Sequence, residues 1–232
     1  FQAWRRPVLW AGITFLVMLA CFGPTDNWRW DPSYYYAQLR SPVVENDLDF
    51  RNETITGDIV TAYTATGLQN SSWPVGPSIL WSPFFFLAHG LVLLISPAKA
   101  TGFTFPYITL VTLGSALYGL AGVWILYQIS RRWAAPWLAG LTAFLCLGAT
   151  PLVFYIFRQP IMAHSTSLLV TAAMFWFYLR LVEDRFCEKY SGLIWGVLLG
   201  LSFLTRWSGL IYAILPAAYY TLRLIPMVRQ KD

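Results

Sequence analysis

Seven stretches of this chain carry no Asp, Glu, Lys or Arg: 7–25, 59–98, 100–130, 133–157, 159–179, 190–205 and 207–222. A helix needs about 20 apolar residues to cross the hydrocarbon core of a bilayer, so several of these are long enough. Leu, Val, Ala, Phe and Trp recur in them without a polar stripe, the pattern of a helix surrounded by lipid or by other helices. Charged residues make up 12% of the 232 and apolar ones 57%, with a mean hydropathy of +0.52. Soluble domains run to about 25% charged and about 45–50% apolar. The chain is therefore neither a water-soluble globular domain nor a disordered segment nor a nucleic-acid-binding module. It is all-α, a polytopic transmembrane helical bundle in an integral, multi-pass membrane protein.

The segment Pro77–Pro97 decides the topology, because it is long enough to cross yet holds Pro83, His89 and Gly90. Basic residues favour the cytosolic side. With a cytosolic N-terminus and no crossing by this segment, ten of the 16 Lys and Arg fall inside and six outside. If the segment crosses, every later loop flips and the balance becomes five inside against eleven outside. The reading is therefore a re-entrant or interfacial helix at 78–97. Spans follow at about 7–25, 106–130, 134–157, 161–182, 191–204 and 208–224. The last two are short, as in a broken pair meeting at Thr205-Arg206-Trp207. One membrane domain covers residues 1–232, with 26–77 as an exterior loop. Cys21 and Cys146 lie in apolar runs and Cys187 in a charged loop, so no disulfide framework is indicated.

Asp31 opens Asp31-Pro32-Ser33-Tyr34-Tyr35-Tyr36, directly after the first span. It can cap a helix, with Pro32 at the first helical position and the tyrosines as an interfacial belt. A carboxylate at that depth can also act as general base on an acceptor hydroxyl, and the two roles are compatible. Glu45, Asp47, Asp49 and Glu53 form an acidic run in the exterior loop. Such a run can hold a divalent cation, bind sugar hydroxyls or be a solvated loop. It lacks the glycine and spacing of an EF-hand. Arg158, His164 and Arg206 sit near the outer ends of spans, where ionisable groups are costly unless paired or wet. Either arginine can grip a lipid phosphate or snorkel to the headgroups. His164 can instead make an interhelical hydrogen bond. No Gly-rich phosphate loop, CxxC, HExxH or GxSxG occurs, and no motif calls for a cofactor.

Five stretches together resemble the GT-C superfamily of integral-membrane glycosyltransferases, in its broad family-39 group and nearest to bacterial members of unassigned function. They are Asp31 to Tyr36 with Leu39-Arg40-Ser41, Asn46 to Phe50 with Asn52-Glu53, Trp73 to Pro77 with Leu80 to Phe85, Pro160 to His164, and Leu204 to Trp207. They run from residue 31 to 207, the N-terminal half of such an enzyme. The resemblance implies a sugar transferred at the exterior face from a polyprenyl-phosphate donor, with Asp31 as catalytic base. It implies donor or acceptor binding by Tyr35, Arg40, Asp47, Asp49, Glu53, Arg158, His164 and Arg206, with Arg158 and Arg206 on the phosphate. The partners are then a polyprenyl-phosphate-linked sugar, membrane lipids and other membrane subunits, and the membrane a bacterial inner membrane with the loop on its periplasmic side. Gln159 stands where members of the group tend to carry an acid. Such enzymes usually continue through further spans, so an alternative is a truncated, inactive relative serving as an accessory subunit of a larger complex. A third reading is a lipid-binding or flipping protein that uses the same exterior cavity without group transfer.

Overall fold

In the computed structural model, residues 31–53, 63–69, 71–183 and 188–229 are described. The expected first span at 7–25, the loop residues 54–62 and Asn70 lie outside the described residues. Seven α-helices follow one another among the described residues: α1 (Asp31–Arg40), α2 (Gly76–Ile95), α3 (Phe105–Ser130), α4 (Pro136–Gly148), α5 (Ala163–Val182), α6 (Ser191–Thr205) and α7 (Ile214–Arg229). Among the described residues there is no β-strand, only one bridge between Tyr63 and Gln69. The chain is an all-helical membrane bundle, and α2, α3 and α5 are long and apolar enough to cross a bilayer.

The punctuation follows the residues. Pro32, Pro77, Pro106 and Pro136 fall in the first turns of α1 to α4, where the missing N–H costs no hydrogen bond. Pro83 lies inside α2, which continues through it to Ile95. Where one span is expected over 134–157, α4 ends at Gly148 after 13 residues, and a five-residue π-helical turn, Phe154–Arg158, follows. At the other break α6 ends at Thr205, Arg206 is extended, and a 3₁₀ segment, Trp207–Ala213, leads into α7.

α3 is the axis of the assembly. Its first half packs antiparallel to α2, with the rings of Phe84 and Tyr118 5.5 Å apart and those of Phe85 and Tyr107 5.1 Å apart. Its second half packs on α5, and Arg132 and Glu183 just beyond the two C-termini pair at 2.5 Å, so these helices run parallel. Thr112, Ser115, Ala116, Gly119 and Gly122 give α3 a buried small-residue face. Close approach of this kind lets dispersion and interhelical hydrogen bonds hold helices together where lipid removes the hydrophobic drive. The Ser115 hydroxyl uses it to donate to the Pro160 carbonyl at 2.5 Å. One core joins α1, α2 and α3 around Tyr36, Trp81, Phe85 and Tyr107, and a second joins α5, α6 and α7 around Met174, Phe177 and Trp195.

Candidate functional site

Four helix ends meet against the middle of α3. The Ser78 hydroxyl near the start of α2 donates to the Tyr35 carbonyl of α1 at 2.6 Å, and the Tyr118 hydroxyl of α3 donates to the Leu80 carbonyl at 2.9 Å. The start of α2 also lies directly on the end of α6: a Cβ placed on Gly76 would come within 2.6 Å of the backbone of Leu204 and Thr205. The start of α5 joins them through His164, whose Nε2 is 3.3 Å from Nη2 of Arg206. Residues 31, 164 and 206 thus converge from three distant parts of the sequence.

Arg206 lies close enough to Asp31 and Tyr35 for its charge to act on both. Burial pushes the Asp31 carboxyl above the usual carboxylate range, opposed by a hydrogen bond from its own backbone N–H and by Arg206. Burial and the Asp31 charge lift the Tyr35 hydroxyl to about 12, so it is a neutral donor at physiological pH. Arg206 has only donors, which makes His164 Nε2 the acceptor and leaves the imidazole proton on Nδ1. The ring is held flat against Tyr155, with centroids 3.6 Å apart and planes within 1°. Three buried N–H groups in this region, His164 Nδ1, Trp73 Nε1 and Trp81 Nε1, have no acceptor among the described residues. Both tryptophan rings pack on Tyr35, Trp73 stacked at 6.3 Å and Trp81 edge-on at 6.2 Å.

The remaining candidates gather at the other end of α1. Arg40 is buried and pairs with Glu53 and, at 3.0 Å, with Glu45. Its Nε donates to the Thr101 carbonyl at 2.6 Å and its guanidinium lies 4.2 Å from the Phe103 ring centroid. Gly102 sits beneath it at φ +83°, where a Cβ would strike the arginine side chain. Burial pushes Glu53 up to about 7, against the pull of Arg40. Asp47 accepts from the Ser41 hydroxyl at 2.5 Å and from the Asp49 N–H. Asp49 pairs with Arg51 and accepts from the Gln69 N–H at 3.1 Å. The Arg51 guanidinium and these hydrogen bonds hold the Asp49 carboxyl below the usual carboxylate range. Arg40, Asp47, Asp49 and Glu53 thus bind the loop to itself and to the α2–α3 link.

Among the described residues, no three His, Cys, Asp or Glu side chains come together as a metal site. Arg158 is exposed at the end of the Phe154–Arg158 turn. His89 Nδ1 meets the Tyr107 hydroxyl at 2.6 Å, a satisfied contact inside the α2–α3 packing. Sequence reasoning passes over Tyr155, whose only mark is its place in an apolar run nine residues before His164.

A sequence model of one family, described as dolichyl-phosphate-mannose-protein mannosyltransferase, matches residues 103–229. That match holds Arg158, His164 and Arg206, while Asp31 and Tyr35 precede it. Neither a curated protein nor a solved structure matches the chain.

Proposed function

This chain belongs to the dolichyl-phosphate-mannose-protein mannosyltransferase family, a GT-C type of membrane glycosyltransferase, and from that premise we propose that it moves a sugar from a polyprenyl-phosphate donor to an acceptor hydroxyl at the exterior face. The observation that supports this most is the convergence of a carboxylate, Asp31, with a guanidinium, Arg206, and an imidazole, His164, at three separate helix ends. In the proposed reaction the acceptor oxygen forms a bond to the sugar's anomeric carbon and the carbon–oxygen bond to the donor phosphate breaks. The hydroxyl proton goes to Asp31, and the bonding pair leaves with the polyprenyl phosphate. Arg206 meets the growing phosphate charge, with the His164 Nδ1–H and the two indole N–H groups as further donors for sugar or phosphate oxygens. Arg158 is the second candidate for the phosphate. A phosphate leaving group needs no general acid, so a single carboxylate suffices for proton transfer.

Replacing Asp31 by Asn keeps size and removes the base. Transfer from a synthetic polyprenyl-phosphate sugar should fall by about 10²-fold or more, the usual weight of a general base, with donor affinity nearly unchanged. Transfer at the original rate by the folded variant would overturn the proposal.

A further inference from the structure

Toward the opposite end of α5, with Arg180 about 24 Å from His164 by helical rise, a concavity lies between α3 and α5. It has a volume of about 490 Å³, and its walls include Trp124, Gln128, Arg131, Arg132, Trp176 and Arg180. We propose that this pocket binds the phosphate headgroup of an anionic membrane lipid.

The charge balance is the first support. Three guanidinium groups line the pocket, and Arg132 pairs with Glu183 at 2.5 Å. The C-termini of α3 and α5 add about half a negative charge each, so about one positive charge remains in excess. The second support is where the arginines are held. Arg180 lies 5.0 Å from the Trp176 ring centroid and Arg131 5.9 Å from that of Tyr127. These ring contacts place the two guanidinium heads beside the pocket, and a guanidinium's forked N–H groups suit an oxyanion. The third is the indoles at this end of the bundle. Trp124 in the wall is 50% exposed, and Trp133 and Trp137, which follow it in the chain outside the pocket, are about 70% exposed, as indoles are at a membrane–water interface. A basic pocket between membrane helices at headgroup depth suits a lipid phosphate, with its acyl chains on the apolar outer surface. A soluble phosphate would gain nothing from the indoles.

The test uses the full chain in detergent, with bound lipid read by native mass spectrometry. Phosphatidylglycerol should bind at least about tenfold tighter than phosphatidylcholine with the same acyl chains. Arg131→Gln and Arg180→Gln should each weaken it on the order of fivefold, the weight of one basic residue at an anionic membrane surface. The double variant should lose the preference. With the unaltered protein, raising salt should weaken phosphatidylglycerol binding alone, which tests the proposal even if the variants misfold. Equal affinity for the two lipids, a preference that survives the double variant, or displacement by millimolar inorganic phosphate would each overturn it. The last result would assign the pocket to a soluble phosphate compound. Sugar transfer is not read in this experiment, so its failure leaves the transferase proposal standing.

Discussion

The action of Arg206 on Asp31 has a measurable consequence. The arginine's charge opposes the burial that raises the Asp31 carboxyl. A base works only when ionised, so under the transferase proposal activity is present above the Asp31 pKa and lost as pH falls through it. The acidic limb should therefore lie above the ordinary carboxylate value. Arg206→Gln removes the opposing charge, and the limb should move to still higher pH while the plateau drops. An unmoved limb would mean that Asp31 is not the titrating base. The second residue-scale prediction concerns Glu53, raised to about 7 mainly by burial. The folded loop then holds a proton that the unfolded chain has released at any pH between roughly 4.5 and 7. Folding takes up a proton there, so loop stability should rise as pH falls across that range and level off below it. Hydrogen exchange at residues 41–53, corrected for intrinsic rates, should show this in the unaltered chain and lose it in Glu53→Gln. Asp31, His164 and Arg206 stand out in the sequence because an ionisable group in an apolar setting needs a reason. Asp47, Asp49 and Glu53 carry no such mark, since an acidic run has the same composition whether its carboxylates face a ligand or tie down their own loop.

Among the elements, the start of α2 positions the site. Gly76 brings α2 onto the last turn of α6, where a Cβ would meet backbone rather than a side chain that can swing aside. Gly76→Ala should push the two helix ends apart, cost about 1–3 kcal/mol as overpacking does, and separate Arg206 from Asp31. Lower thermal stability together with lower transfer is the expected outcome. Gly90, on the same helix, has nothing within 4 Å of its would-be Cβ, so Gly90→Ala should be neutral or slightly stabilising. Equal behaviour of the two variants in thermal unfolding would refute this account of α2. The helices themselves are legible from charge-free runs and early prolines, and the break at Arg206 coincides with the one charge between two short apolar runs. The early end of α4 escapes a reading of spans by charge, because Gly148-Ala149-Thr150-Pro151 carries none, although Gly148 with Pro151 is itself a helix-stop signal. The small-residue face of α3 shows only once its partners, α5 and the Phe154–Arg158 turn, are in place.

For the molecule as a whole, the unsettled feature of the topology is α2, which by length and hydropathy could cross the bilayer. Its flanks bear on this through α1. The Gln38 side chain donates to the Trp73 carbonyl at 2.7 Å, just before α2, and Arg40 donates to the Thr101 carbonyl at 2.6 Å, just after it. Gln38 and Arg40 are two residues apart on one helix. Even with both side chains fully extended, the two carbonyls lie within roughly 20 Å of each other. A hydrocarbon core is about 30 Å thick, so these contacts favour Trp73 and Thr101 on one side. We therefore propose that α2 is re-entrant, lying alongside the first half of α3 with both its flanks on the exterior side and its exposed Leu91, Leu94 and Ile95 against lipid. The distribution of basic residues points the same way, keeping Arg131, Arg132 and Arg180 on the cytosolic side, opposite Asp31. Impermeant maleimide applied to intact cells tests it, using single cysteines at the exposed Ser72, Thr101 and Trp133 in a chain whose three native cysteines are replaced by alanine. Ser72→Cys and Thr101→Cys should both label from outside, and Trp133→Cys only after the membrane is opened. Labelling of Ser72→Cys and Trp133→Cys from outside with Thr101→Cys protected would mean that α2 crosses. Asp31 and the basic pocket would then have to be reassigned together, because the contacts that join Gln38 and Arg40 to both flanks of α2 could not all exist in the membrane.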